Sequence, residues 1–383
     1  MPDITWITPV AVVLLLWALL RMLPAGADGR APLPYLISLG HLLWIPLVIV
    51  AIVALASDDV VSAVMATTAA AAIGGISLRT YHPRHQRAHP SVGGTAIEQW
   101  ARPRSATPHA PASGAPASGA TLTVMTLNCR TGRVDAHSVV QAVQEREVDV
   151  LALQELTVEA VAALKDAGMD DILPFHQLGG QHPDDNGGFN AIWSAQKPVG
   201  ACADTVSIPA AEAPSLSLRL GPSIVRFVSA HTKSPQRGCR EWSQGIIGLG
   251  ALASDGFADH QTHPATADTT TMRMDTVLMG DLNSSPDHPS FRALLAQGFH
   301  DAGLSLAHGP VASFPSWALW PRIDIDHILF TEGIQSTAST SFTVPGTDHL
   351  AVCATLLIET GTSSPGSCRV NPLDSPGLAL SGR

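Results

Sequence analysis

Val277-Leu278-Met279-Gly280-Asp281-Leu282-Asn283 is an apolar run that ends in a carboxylate and a carboxamide two residues apart. The run predicts a buried strand. Strand side chains alternate between faces, which puts Asp281 and Asn283 on one face. Gly280 lets the backbone bend, or a neighbour approach closely, just before them. Ser284-Ser285-Pro286-Asp287 then breaks the strand and opens a loop. Two polar groups delivered together from a strand end suit a functional site on a rigid scaffold. The same residues also suit a strand that closes in an Asx turn.

Outward from this stretch, further strands are predicted over 122–127, 148–153, 188–193, 215–220, 224–230, 326–330 and 352–358. Helical spacing is found over 138–146, 158–167, 241–252 and 290–297. Strands interspersed with a few helices predict a layered α/β domain over residues 121–360. Nearly every strand delivers a polar residue at its edge. Leu127 is followed by Asn128, and Leu153 by Gln154-Glu155. Ser229-Ala230 leads to His231, Gly280 to Asp281, Ile325 to Asp326-His327, and Gly346-Thr347 to Asp348-His349. One histidine at a strand edge is ordinary, but six successive edges are not explained by packing.

In this order the set resembles the endonuclease/exonuclease/phosphatase superfamily of metal-dependent phosphoesterases, from Thr121 to about Glu359. The matching elements are Thr126-Leu127-Asn128, Gln154-Glu155, His231, Gly280-Asp281-Leu282-Asn283, Ile325-Asp326-His327-Ile328-Leu329 and Thr347-Asp348-His349. The resemblance implies a four-layered α/β sandwich, two mixed β-sheets face to face and flanked by helices. Phosphoester hydrolysis needs charge neutralised on the phosphoryl oxygens and an aligned water. Hard oxygen ligands favour Mg²⁺ or Mn²⁺ over zinc. Glu155 is the expected metal ligand, with Asn128 beside it and Asp348 nearby. Asp281 is expected to orient or deprotonate the attacking water. Asn283 is expected to hydrogen-bond the phosphate as a neutral donor. His231 and His349 are expected to donate to phosphate oxygens. Asp326 is the family-like partner for His349, with Asp324 a structural residue and His327 turned to the opposite face.

Two features depart from the family's nucleases. They commonly use an active-site tyrosine, yet the only tyrosines are Tyr35 and Tyr81, outside the domain. The strand Asn190-Ala191-Ile192-Trp193-Ser194 is followed by Ala195 where an arginine is usual. Phe314-Pro315-Ser316-Trp317 with Trp320-Pro321, just before Asp326, reads either as an apolar rim or as core.

Before this domain the chain is of another kind. Hydrophobic residues make up 45% of the 383 residues and charged ones only 14%, which predicts a membrane part. The runs 4–23, 35–56 and 60–78 are each long enough to cross a bilayer, so residues 1–78 are expected to form three transmembrane helices of a multi-pass cell-membrane protein. Arg21, Arg30, Arg79, Arg84 and Arg87 flank the spans so that the positive-inside rule puts the domain inside. Residues 79–120 read as a linker, basic at first and then twice Pro-Ala-Ser-Gly-Ala, and 361–383 as a disordered tail. Residues 254–274 read as a polar surface loop. All five cysteines lie after residue 120, with no zinc-type spacing, and a Cys202–Cys239 pairing is left open.

Charge narrows the function. Residues 1–120 carry a net charge of +2, and residues 121–383 carry 15 basic and 27 acidic residues, a net of −12. An acidic domain suits a nucleic-acid duplex poorly. The combination of spans, tether and domain resembles membrane-anchored bacterial members, including the actinobacterial glycopeptide-resistance type, whose catalytic domain lies outside the cell. That resemblance opposes the charge rule, and the side of the domain stays open. The expected function is a membrane-tethered phosphoesterase acting on a phosphodiester or pyrophosphate, with a lipid-linked substrate and membrane lipids as partners and no protein partner. A nuclease and an inactive membrane scaffold are the alternatives.

Overall fold

The computed structural model of the chain describes residues 6–81, 119–181, 187–254 and 274–359. Nearly all of the expected linker and of the 254–274 loop, and the whole of the expected tail, lie outside the described residues. Among the described residues twelve strands form two six-stranded sheets. The first contains β1 (Gly119–Asn128), β2 (Val150–Leu156), β3 (Phe175–Leu178), β4 (Phe189–Ser194), β11 (Ile334–Thr343) and β12 (Leu350–Glu359), in the order β11-β12-β1-β2-β4-β3. The second contains β5 (Gly200–Cys202), β6 (Ser215–Leu220), β7 (Ser223–His231), β8 (Met274–Asp281), β9 (His300–Asp301) and β10 (Asp326–Phe330), in the order β5-β6-β7-β8-β10-β9. Each sheet is mixed: β1 runs parallel to β2 and β7 to β8, while β12 and β10 run antiparallel to β1 and β8.

Alternation along the strands builds the layers. Val124, Val150, Val277 and Met279 face inward and pack between the sheets with Phe227 and Ile328. Met125, Leu127, Leu151 and Leu153 face outward and receive α5 (Ala136–Glu145) and α6 (Val158–Asp166) through Val139, Val143 and Leu164. On the other outer face Val228, Leu278 and Leu329 receive α7 (Cys239–Gly248) and α8 (Pro289–Ala296) through Trp242, Ile246, Phe291 and Leu294. Asp135 caps α5 by accepting from Ser138 N at 3.0 Å, and Thr157 caps α6 by accepting from Ala160 N at 3.2 Å. The four-layered sandwich is therefore present, and the strands and helices predicted in the domain are found within a few residues of their expected bounds, except that the helix expected over 241–252 is split into Cys239–Gly248 and Ala251–Ser254.

The N-terminal part differs from expectation. It folds as α1 (Ile7–Leu19), α2 (Leu33–Ser38), α3 (Trp44–Ala56) and α4 (Val60–Tyr81). Against three expected spans, one helix among the described residues, α4, is long and apolar enough to cross a membrane by length and composition, or two if the bent pair that follows is a single broken span. The second run is bent by 61° between Leu33–Leu42 and Trp44–Ala56, and Ile7–Met22 is a shorter apolar helix. Pro34 in the first turn of α2 and Pro46 in the first turn of α3 restart the helix rather than continue it. Leu47, Ala54, Ala66 and Ile73 pack the helices together. Val13, Leu16, Ile52, Leu55 and Val64 stay exposed on their outer faces.

This helical unit docks on the domain at the loop that follows the Asp281 strand. Arg21 pairs with Asp287 at 2.7 Å, both largely buried. The Asp28 carboxylate accepts from Ser290 N at 2.9 Å and Ser290 Oγ at 2.6 Å. His288 Nε2–H donates to Pro34 O at 2.9 Å, while His288 Nδ1 accepts from Ser285 N. Arg292 donates to Asp287 O at 2.6 Å and also to Arg21 O. Of the described cysteines, Cys129 and Cys353 are buried, and Cys202 and Cys239 are free thiols rather than a pair.

Candidate active site

The topology brings the polar strand ends to one edge of the sandwich. Asn128, Glu155, His231 and Asp281 lie at the C-terminal ends of β1, β2, β7 and β8. Asp326 opens β10 and His349 immediately precedes β12, both antiparallel, so their first residues reach the same edge. Register completes the row: His231 is opposite Asp281, and Asp281 is opposite Asp326. Gly280 makes the row possible. Its φ is +152°, and a Cβ there would lie 1.8 Å from Ala230 O on the neighbouring strand.

Asn128 is the hub. Its amide Nδ2 donates to Asp281 Oδ2 at 2.9 Å and to Glu155 Oε1 at 3.1 Å, and its Oδ1 accepts from Arg130 N at 2.8 Å. Glu155 Oε2 accepts from Thr131 N at 2.9 Å and Thr131 Oγ1 at 3.3 Å. Glu155, Arg130, Thr131 and Asn283 all have positive φ. Such conformations are costly for non-glycine residues and cluster at functional sites.

The strand ends at Asp281, two residues before Asn283. Asn283, at φ 48°, donates its backbone N–H to Asp281 Oδ1 at 2.8 Å in an Asx-type turn. Asn283 therefore reaches the site from a turn, not from the strand face. Its carboxamide donates to Thr232 O at 3.1 Å and lies 3.2 Å from His231 Nε2. Trp242 Nε1–H holds the turn from behind by donating to Asn283 O at 2.9 Å.

The two site histidines are electrostatically unlike. Burial dominates at His231 and lowers its pKa, which holds the ring neutral, 3.5 Å from Asp281 Oδ2. At His349 burial acts against the charge, but the carboxylates of Asp326 and Asp281 outweigh it and push the imidazole up to about 10. His349 Nδ1–H donates to Asp326 Oδ2 at 2.8 Å, and its Nε2 lies 3.8 Å from Asp281 Oδ2. Burial, then the adjacent Asp326 carboxylate, raises the pKa of Asp281.

His327 faces away from this row. Its Nδ1–H donates to Asp301 Oδ2 and its Nε2–H to Ser284 O, both at 2.7 Å, beneath the ring of Phe291. Both acceptors require a proton, so the ring is an imidazolium. Burial opposes that charge, and the Asp301 carboxylate still carries it up to about 9. Asp324 is buried outside the row, and burial pushes its carboxyl up to about 7.

The expected oxygen ligands are only partly assembled. Asn128 and Glu155 are in contact, whereas Asp348 is turned to Arg130, 3.7 Å from its Nε. A second grouping, Asp281, Asp326 and His349, has ligand atoms within 4.8 Å of one another. In that grouping His349 Nδ1–H already donates to Asp326. The carboxylates of Glu155 and Asp281, which share the Asn128 amide as donor, are the oxygen ligands a hard divalent ion takes, and Asn128 would join them only through Oδ1, which here accepts from Arg130 N. Asp326 Oδ1 is buried without a hydrogen-bond partner. Sequence reading missed Arg130, Thr131 and Trp242. Only the adjacency of Arg130 and Thr131 to Asn128 could have signalled them.

The sequence model described as the Endonuclease/Exonuclease/phosphatase family matches residues 125–349. No curated protein matches the chain. Among solved structures, an endonuclease/exonuclease/phosphatase family protein from Leptotrichia buccalis is 13% identical, with a TM-score of 0.46 over 61% of this chain and 99% of that one. Sphingomyelinase C from Streptomyces griseocarneus is 17% identical, with a TM-score of 0.42 over 62% and 99% of the two chains. A mannosyl-6-phosphatase from Bacteroides thetaiotaomicron is 16% identical, with a TM-score of 0.44 over 61% and 99%.

Proposed function

The chain belongs to the endonuclease/exonuclease/phosphatase family, and from that premise we propose that it is a membrane-tethered, Mg²⁺- or Mn²⁺-dependent phosphoesterase that cleaves a phosphodiester or pyrophosphate of a lipid-linked substrate. The observation that carries the hydrolytic part is the row His231–Asp281–Asp326, joined to Glu155 through Asn128 and closed by His349. Glu155 and Asn128 would hold the ion, with Asp348 joining once it leaves Arg130. A bound ion supplies positive charge against the phosphoryl oxygens. Asp281, its basicity raised by burial and by Asp326, orients the attacking water and takes its proton. His349, kept protonated by Asp326, donates through Nε2 to a phosphoryl oxygen. His231 acts as a neutral group, and Asn283 steadies it while lying within reach of the phosphate.

The tether rests on different support. The outer faces of α1, α3 and α4 are apolar, and the 22 residues of α4 span about 33 Å, close to a bilayer's hydrocarbon thickness. Tyr35 and Trp44 are exposed at the domain end of the unit and Trp6 at the other, as aromatic residues are at both membrane interfaces. The domain's acidity and lack of tyrosine favour a small lipid phosphoester over DNA.

The test is a substrate panel given to the full chain in detergent with Mg²⁺: a soluble phosphodiester, a phosphomonoester, a lipid-linked pyrophosphate and duplex DNA. Turnover greatest on the lipid substrate supports the proposal. Greater activity on DNA makes the protein a nuclease, and none on any phosphoester makes it a scaffold.

A further inference from the structure

The described part of the domain has five exposed large apolar side chains, and three of them fall within four positions: Trp317 at 81%, Leu319 at 94% and Trp320 at 64% exposure. The other two, Val158 and Val199, stand alone. Side chains of this size in water are a cost unless something covers them. The loop that carries them is a built structure. The Phe314–Ile323 bridge closes its base, and Arg322 donates to Ser316 O at 3.1 Å. The loop is also joined to the site: Ser316 N–H donates to Asp348 O at 2.7 Å, and the Phe314 ring lies 5.0 Å from that of His349.

Its position relative to the helical unit says what covers it. Asp324, directly after the loop's closing residue, accepts from the hydroxyl of Tyr81, the last residue of α4, at 3.5 Å. Arg21, at the end of the first apolar run, donates to Thr80 Oγ1 at 3.3 Å beside it. The domain-side ends of the first and fourth helices therefore meet at the base of the Trp317–Trp320 loop. Arg30 and Arg79 are exposed at the same end of the unit. Exposed tryptophans and leucine beside arginines are the composition of a lipid–water interface.

We propose that the Trp317–Trp320 loop is a membrane-contact element that seats in the interface of the phospholipid leaflet reached by the Tyr81 end of α4. The contact sets the active-site mouth at the headgroup level, where a lipid-linked phosphoester presents its reacting group. The inference rests on the membrane tether proposed above.

The experiment uses the full chain in vesicles of phosphatidylethanolamine and phosphatidylglycerol, with Cys202, Cys239 and Cys368 changed to serine. An environment-sensitive fluorophore is placed singly at Leu319→Cys, at Val64→Cys on the exposed face of α4, and at Val199→Cys on the domain. Lipids carrying a nitroxide near the headgroup are then added. The Leu319 probe is expected to lose roughly twofold in emission, as an interfacial group should, with the Val199 probe unchanged. An unquenched Leu319 probe beside a quenched Val64 probe overturns the loop contact and leaves the tether standing. If Val64 is also unquenched by nitroxides at every depth, the tether itself fails and the loop contact falls with it. Equal quenching at Val199 would mean general adsorption of the domain and would also overturn the assignment to this loop.

Discussion

His349 and Asp326 join the two sheets. His349 precedes β12 in the first sheet, Asp326 opens β10 in the second, and Nδ1–H of one donates to Oδ2 of the other across 2.8 Å. The bond fixes the ring with Nε2 toward Asp281 and keeps it charged, which is what the proposed role at a phosphoryl oxygen requires.

His349→Ala is accordingly expected to cut turnover by roughly 100-fold, as removal of a transition-state donor does, and to lower stability as well, because it leaves buried Asp326 without its partner. Asp326→Asn is expected to show a smaller defect of the same kind. Steady-state turnover and a thermal melt of each purified variant check this, and a silent His349→Ala would move the role elsewhere.

His327 predicts a loss of stability without a direct effect on turnover. His327→Ala should cost about 1–3 kcal/mol of stability, because it leaves buried Asp301 without its partner. The pH dependence follows from the raised pKa. The unfolded imidazole titrates near ~6.5 and the folded one at about 9, so the pair's contribution is full below pH ~6.5 and is lost as pH rises through about 9. Denaturant melts between these limits should show a slope in the native protein that His327→Gln flattens.

The docking loop gives a third test. Arg21→Ala leaves buried Asp287 with only the His41 ring, 3.8 Å away, as a possible charge partner, a change worth about 3–5 kcal/mol where the surroundings stay closed. The full chain in detergent should melt markedly lower, and Asp287→Asn should restore part of the loss. An unchanged melting temperature would mean that the helical unit does not brace residues 284–292.

Gly280→Ala is a fourth. A methyl group 1.8 Å from Ala230 O cannot be accommodated without separating β7 from β8. A loss of about 4 kcal/mol or more is expected, read as a failure to recover folded protein.

The central strands and helices were legible because they are apolar on one face or both. The four strands that escaped sequence reading, β3, β5, β9 and β11, are the four sheet edges. An edge strand is short or half-wetted and carries no apolar run; β11 reads Ile-Gln-Ser-Thr-Ala-Ser-Thr-Ser-Phe-Thr. The candidate site was legible because its residues stand at strand ends in a recognisable order. Asn283 was found for a partly mistaken reason, since a left-handed turn and not strand alternation brings it in. Thr131 and Arg130 escaped because they act through a backbone N–H and an unusual turn, which leave no mark on residue type. The docking of Arg21 and Asp28 on the domain escaped because it joins residues more than 250 positions apart.

The central claim is that Glu155 and Asn128 hold a divalent ion that the hydrolysis requires. The most direct measurement is calorimetric titration of Mg²⁺ or Mn²⁺ into the full chain and into Glu155→Gln, with turnover of a soluble phosphodiester followed on the same preparations. The account predicts that the native chain binds the ion and turns over, that a chelator abolishes turnover, and that Glu155→Gln loses most of both while melting normally. A Glu155→Gln variant with native metal affinity and native turnover would contradict it.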